Sequence, residues 1–196
     1  MAKTAIFLAD GFEEIEALTV VDLLRRAGIE ITTASIMGRK EVTGSHKITV
    51  IADTLFEDVD FDSLDMLILP GGQPGTTNLG NCQPLKDKIK EFYAANKMLC
   101  AICAAPTVYG KMGLLNGKKA CCYPGCEVDL TGADVQTTEV TKDGHFITSR
   151  GMGTAIPFGL AIIEHFQGDT AARDMATKIV YRYRTGGGAS GRAGSF

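Results

Sequence analysis

The sequence predicts an α/β domain built on a mainly parallel central sheet with helices on both faces. Three observations carry that expectation. Short apolar runs without polar alternation, of the kind covered on both faces, recur along the chain. Stretches with helical apolar spacing stand between them, and strands alternating with helices imply parallel pairing through crossover connections. The length of 196 residues suits one domain with a sizeable core, and no segment repeats.

The first run, Ala5-Ile6-Phe7-Leu8-Ala9, stops at Asp10-Gly11 and reads as a buried strand. Residues 14–27 place Ile15, Leu18, Val21 and Leu24 at helical spacing, and Gly28 offers a left-handed stop. Residues 29–36 read as a second strand and 47–52 as another, reached through Gly38 and Gly44. Met66-Leu67-Ile68-Leu69 is a central strand cut off by Pro70-Gly71-Gly72. Residues 85–96 form a helix with Ile89 and Phe92 on one side, residues 98–102 a buried strand, and a helix runs from Cys103 to about Met112. Residues 119–123 and 135–140 read as short strands, and the Asp143-Gly144 turn makes 139–148 a hairpin. Residues 154–166 and 170–183 are amphipathic helices. The domain thus covers residues 1–185; residues 186–196, rich in Gly, Ser and Ala without apolar period, are expected to be a flexible tail outside the fold.

Composition narrows the function classes. The formal net charge of −3 gives no electrostatic ground for nucleic-acid binding. No apolar run approaches the ~18 residues of a membrane span, and the opening apolar hexamer is too short for a secretion signal, so a cytoplasmic location is expected. Without such a signal the 6 cysteines read as reduced thiols. The spacing C-x-x-C occurs at Cys100 and Cys103, but Cys100 sits inside a strand and no second pair completes a site. Cys121, Cys122 and Cys126 cluster without a histidine at ligand spacing, so no metal is expected and these read as small buried or semi-exposed thiols.

The segment Leu99-Cys100-Ala101-Ile102-Cys103-Ala104-Ala105-Pro106 runs a buried strand straight into a helix with a nucleophile at the junction. This is the context of a nucleophile elbow, although Ala101 and Ala105 stand where G-x-S-x-G has glycines. A cysteine there faces free N–H groups and the positive helix end, which favour thiolate. The competing reading makes Cys103 a small apolar residue ending a strand. Asp10-Gly11-Phe12-Glu13-Glu14-Ile15-Glu16 also joins a strand end to a helix, where parallel sheets place their ligand crevice. Glu13 and Glu14 read as complements to the helix dipole; Glu16, one turn in, is the candidate to face the crevice. Gly71 and Gly72 let the backbone approach a ligand, and with the Ala104 N–H form a candidate oxyanion hole; a plain turn is the alternative.

Taken in order, Gly11-Phe12-Glu13-Glu14-Ile15-Glu16, Leu23-Leu24-Arg25-Arg26-Ala27-Gly28-Ile29, Leu69-Pro70-Gly71-Gly72, Ala101-Ile102-Cys103-Ala104-Ala105-Pro106 and Thr148-Ser149-Arg150-Gly151-Met152-Gly153-Thr154 resemble the ThiJ/PfpI superfamily, and within it the branch of the Parkinson-disease protein deglycase and its bacterial relatives. The resemblance spans residues 1 to about 180. It implies a flavodoxin-like three-layer sandwich that forms homodimers, with Cys103 as nucleophile and oxidation-sensitive thiol and Glu16 as the carboxyl group bonded to it. It also implies backbone donors at Gly72 and Ala104 and places Arg26 near the dimer interface and the site. Two positions depart from the family pattern: Tyr123 stands where the human branch has histidine, and His46 replaces an arginine of the anion-binding edge. Protease-like members carry histidine after the nucleophile; Ala104 here excludes that Cys-His dyad. His145 and His165 read as surface or structural residues.

Two functions fit these residues. One is a cofactor-free enzyme acting on reactive dicarbonyls or early glycation adducts, in which Cys103 adds to the aldehyde and Glu16 moves a proton between adjacent carbons. The other is a redox sensor or redox-regulated chaperone working through oxidation of Cys103. Thiazole-phosphate metabolism, another label attached to the superfamily, finds no phosphate loop in support.

Overall fold

The computed structural model describes residues 2–182, so the expected tail lies outside the described residues. Its centre is a seven-stranded sheet. In chain order the strands and helices are β1 (Lys3–Leu8), α1 (Glu14–Arg26), β2 (Glu30–Ser35), β3 (Glu41–Thr43), β4 (Thr49–Ile51), β5 (Thr54–Leu55), β6 (Met66–Leu69), α2 (Gly75–Asn81), α3 (Gln83–Ala94), β7 (Met98–Ile102), α4 (Pro106–Lys111), β8 (Lys119–Ala120), β9 (Asp134–Val135), β10 (Val140–Asp143), β11 (Phe146–Ser149), α5 (Ala155–Gln167) and α6 (Asp169–Lys178). The sheet order is β10-β11-β7-β6-β1-β2-β5, with only the β10–β11 pair antiparallel. This is the flavodoxin-like order, in which the chain reverses its direction of growth at β1.

The apolar runs are uninterrupted because both faces of the sheet are buried. Successive side chains of a strand point to opposite faces. Ile6 and Leu8 of β1, and Cys100 and Ile102 of β7, join a core under α1, α5 and α6. Ala5 and Phe7, and Leu99 and Ala101, join a second core under α2, α3 and α4. The antiparallel β10–β11 hairpin turns at Asp143 and Phe146 as the Asp-Gly signal predicts. Gly28, at φ 72°, ends the turn after α1.

The structure corrects several expectations. Helix α1 does not bury the stripe of Ile15 and Leu18, which are 49% and 39% exposed. Its inner face is Ala17, Val20, Val21 and Leu24, with Glu16 and Leu23 alongside. Both stripes have helical spacing, so spacing alone does not say which one faces inward. The expected strand at 47–52 forms only as Thr49–Ile51, paired with Glu41–Thr43 in a separate hairpin rather than in the main sheet. The expected strands at 119–123 and 135–140 shrink to the short parallel pair β8–β9. Helix α4 begins at Pro106, three residues after Cys103, and the last helix ends at Lys178. No helix among the described residues is long and apolar enough to cross a membrane.

Candidate active site

The carboxyl ends of β1, β6 and β7 open onto one edge of the sheet, because these strands run parallel. Each feeds one part of the site. Residues following β7 carry Cys103, whose φ of 65° puts a non-glycine residue in the left-handed region. The turn is fixed at both ends: the Cys103 N–H donates to Ser149 O at 3.0 Å, and Cys103 O accepts from the Tyr123 N–H at 2.8 Å. A sharp strand-to-helix turn held in this way lifts the thiol out of the sheet, as the elbow context predicts.

Residues following β1 lead into α1, where Glu16 is 1% exposed. It is carried inward because it shares a helix face with Val20 and Leu23. Residues following β6 supply Gly71, whose N–H donates to Glu16 Oε2 at 2.9 Å. A β-carbon on Gly71 would lie 2.5 Å from Cys103 Cβ, 2.6 Å from Glu16 Oε2 and 3.0 Å from Cys103 Sγ. Glycine at this position is what allows thiol and carboxyl to meet. Gly71→Ala is therefore expected to destabilise the protein by about 1–3 kcal/mol through overpacking. It is also expected to reduce Cys103-dependent activity roughly 100-fold by displacing the pair. Chemical denaturation and a thiol-alkylation rate measure the two effects.

The remaining donors, the N–H groups of Gly72 and Ala104, favour the ionised form of the Cys103 sulfur. Of the three expected oxyanion donors, then, two face Cys103 and Gly71 is engaged by Glu16. Burial pushes the Glu16 carboxyl up to about 7, against the hydrogen bonds from Cys103 and the Gly71 N–H, with the Glu13 charge adding to the rise. Burial also pushes the Cys103 thiol up to about 12, joined by the charge of Glu16 and the hydrogen bond to it, and opposed by the Gly72 and Ala104 N–H groups. This corrects the expectation of a lowered thiol. Ala104 and Ala105 lie in a turn, and α4 is only 6 residues long, so little helix dipole reaches the sulfur.

The two groups titrate as one unit. Together they release a first proton near 7 and a second near 12. Between those values the pair carries one proton and one negative charge. Moving that proton along the hydrogen bond exchanges thiol and carboxylate for thiolate and carboxylic acid with no change in net charge. Glu16 Oε2, which accepts from the Gly71 N–H, is the oxygen on the sulfur's side, while Oε1 is buried without a hydrogen-bond partner among the described residues.

Tyr123 is 53% exposed, and its ring carbon Cδ2 lies 3.3 Å from where a β-carbon on Gly151 would stand. That same position is 3.9 Å from Glu16 Oε1, so Gly151 also borders the pair. The sequence reading left Gly151 without a role; its place just beyond the carboxyl end of β11, beside β7, was the available signal.

Arg26 and His46 do not join the pair. Arg26 ends α1 in an exposed ion pair with Asp22, and a rise of 1.5 Å per residue sets it about 15 Å along the helix from Glu16. His46 Nδ1 lies 3.3 Å from Glu14 Oε2 and 3.5 Å from Glu13 Oε1, so its surroundings are acidic rather than anion-binding. Glu14 does more than complement the helix dipole. It accepts from the His46 N–H at 2.8 Å and the Ile48 N–H at 3.4 Å, clasping the β3–β4 turn to α1. Burial raises the Glu14 carboxyl, but the N–H groups of Glu14, His46 and Ile48 and the His46 ring outweigh it and hold it below its ordinary value.

One oxygen each of Glu13 and Glu14 and the His46 ring nitrogen lie within 4.8 Å of one another, a set of metal-ligand type that the cysteine spacing did not predict. Backbone donors already occupy Glu14, and the positive end of α1 opposes a cation there. All six cysteines are free.

The fold and the site define a cysteine–carboxyl protein on a flavodoxin-like sandwich, with the thiol raised at a strand-to-helix turn. The model of the DJ-1/PfpI family matches residues 2–165, and the chain belongs to that family. It is 37% identical over 186 residues to protein dj-1beta of Drosophila melanogaster, covering 93% of this chain and 100% of that protein. Identity to DJ-1 homolog B of Arabidopsis thaliana is 38% over 186 residues, which span 94% of this chain but 42% of the plant protein's length. A protein named deglycase from Pyrococcus abyssi is 33% identical over 154 residues, 77% of this chain and 91% of its own length. Among solved structures, oxidized DJ-1 of Toxoplasma gondii superposes with a TM-score of 0.90 at 33% identity, over 93% of this chain and all of that one.

Proposed function

We propose that the chain is a cofactor-free, Cys103-dependent enzyme acting on reactive dicarbonyls or early glycation adducts. The observation supporting this reading is the buried Glu16 carboxyl brought against the Cys103 thiol at Gly71, at the mouth of the sheet. The archaeal relative named a deglycase points the same way. In the proposed reaction the Cys103 sulfur adds to an aldehyde carbon, forming a C–S bond while the carbonyl oxygen takes a proton. Glu16 removes the hydrogen of that carbon as a proton and returns a proton to the neighbouring carbonyl carbon. The first carbon is thereby oxidised to a thioester as the second is reduced to an alcohol. Water then cleaves the C–S bond, releasing a hydroxy acid and restoring the thiol. The sum is dicarbonyl plus water giving hydroxy acid, with no outside oxidant.

The test is pure protein mixed with methylglyoxal without glutathione, with lactate followed over time. Lactate formation that rises as pH passes through about 7, where the pair loses its first proton, supports the reading. No lactate above the protein-free rate rejects it.

A second reading, a redox sensor or redox-regulated chaperone, is favoured by the same donors. The Gly72 and Ala104 N–H groups and a protonated Glu16 are placed to bond the oxygens of a sulfinate on Cys103. Mass spectrometry after mild peroxide distinguishes it: sulfinate confined to Cys103 without dicarbonyl turnover selects the sensor.

The proposal includes a homodimer. Ile15, Leu18, Ile48, Ile51 and Met152 are large exposed apolar residues on α1, the β3–β4 hairpin and the segment after β11, and Ile15, Ile48 and Met152 line one shallow depression. Exposed apolar residues grouped in this way fit a second copy of the chain.

A further inference from the structure

Tyr123 is the only largely exposed Phe or Tyr side chain among the described residues. The other rings lie in the two cores or pack against them. The exception stands beside the nucleophile, and its backbone is fixed there. The Tyr123 N–H donates to Cys103 O at 2.8 Å, and the Tyr123 carbonyl accepts from the Cys126 N–H at 3.0 Å. Pro124 and Gly125, the latter at φ 95°, make the tight turn between Tyr123 and Cys126. Cys122, one residue earlier, is buried in the core under α2, α3 and α4.

The ring is seated as well. It lies on Gly151: a β-carbon at that residue would be 3.3 Å and 3.7 Å from two ring carbons, and 3.9 Å from Glu16 Oε1. Ring and carboxyl thus border one point, and glycine is what lets the ring approach. The rest of the ring is open to solvent. A ring used only for packing would be buried like the others. A ring held by its backbone and left open offers a flat apolar surface at little cost in ordering. An aromatic group stacked on such a ring gains a few-fold to about tenfold in affinity beyond area burial; a methyl group covers only part of it.

We infer that Tyr123 determines which side group the Cys103 site accepts: the group carried by a molecule bonded to the sulfur lies on the Tyr123 ring, and a flat aromatic group is preferred to a methyl. Where it concerns turnover the inference rests on the dicarbonyl reading. The favoured substrates are then aryl-substituted oxoaldehydes, in which the side group leaves the second carbon from the sulfur.

Two pairs of probes test it on the whole chain. The first needs no turnover: Cys103 is alkylated by N-phenyliodoacetamide and by iodoacetamide, each rate is read by mass spectrometry, and their ratio is divided by the ratio for free glutathione. The second is kcat/KM for phenylglyoxal, followed as mandelate, against that for methylglyoxal, followed as lactate. Tyr123→Ala is expected to lower both aryl-to-methyl ratios roughly fivefold, whereas Tyr123→Phe keeps them within about twofold of wild type. A ring that only supports the turn would change both members of each pair alike and leave the ratios where they were. An alkylation ratio unchanged or raised in Tyr123→Ala, or lowered as far by Tyr123→Phe, overturns the inference. So does an unchanged turnover ratio in an active Tyr123→Ala. A lowered alkylation ratio with no product from either dicarbonyl supports the inference and rejects the dicarbonyl reading.

Discussion

Replacing Cys103 with serine is expected to reduce dicarbonyl turnover to background, a loss of roughly 1,000-fold or more, while leaving the fold intact. The fold survives because the backbone, not the sulfur, holds the turn: the bonds from Cys103 N–H to Ser149 O and from Tyr123 N–H to Cys103 O are indifferent to the side chain. Activity does not survive, because a serine hydroxyl holds its proton far more tightly than a thiol does. The raised Glu16 carboxyl that exchanges a proton with the thiol cannot ionise it appreciably. The other cysteines give no substitute. Cys100 and Cys121 are 0% exposed and Cys122 is 2% exposed, and the more accessible Cys82, between α2 and α3, and Cys126 lie outside the cluster of Gly71 and Glu16 that holds Cys103. Lactate assays on the wild type and Cys103→Ser, with denaturation curves for both, measure the two halves of this expectation. Turnover within tenfold of wild type in a folded Cys103→Ser would remove the thiol from the mechanism.

Much of this was legible in the sequence. Runs such as Ala5-Ile6-Phe7-Leu8 and Met98-Leu99-Cys100-Ala101-Ile102 announce strands covered on both faces, and helices between them leave little choice but parallel pairing. Glu16 and Cys103 were legible because each stands just past a strand end, where a parallel sheet opens. What was lost was lost for definable reasons. Helix α2 contains Gly75, Gly80 and Asn81, with Leu79 its sole large apolar residue, so neither propensity nor period marks it. The inner face of α1 was misassigned because Ile15 and Leu18 form a second apolar stripe facing away from the sheet. The direction of the thiol shift was misjudged because it depends on burial and on the charge of Glu16, quantities that exist only once the three strand ends have met.

Glu16→Gln carries the expectation that separates catalytic use of this pair from its structural role. Glutamine keeps an oxygen for the Gly71 N–H and fills the same space, so the site geometry persists. It cannot move a proton between carbons, and turnover is expected to fall roughly 100- to 10,000-fold. Stability is expected to respond in the opposite sense at neutral pH. In the folded protein Glu16 keeps its proton up to about 7, against 4.5 for the free group. Between those values the folded state binds more protons than the unfolded state, so stability falls as pH rises through this window and levels off above it. Over the whole window the loss attributable to Glu16 is about 3 kcal/mol. Glutamine does not titrate, so its stability relative to wild type should improve by about that amount between pH 4.5 and pH 8. Urea denaturation of both proteins at these two pH values reads the difference. A constant difference would mean that the fold does not raise the Glu16 carboxyl, and its carboxylate would be too weak a base to take the Cys103 proton on which the proposed chemistry rests.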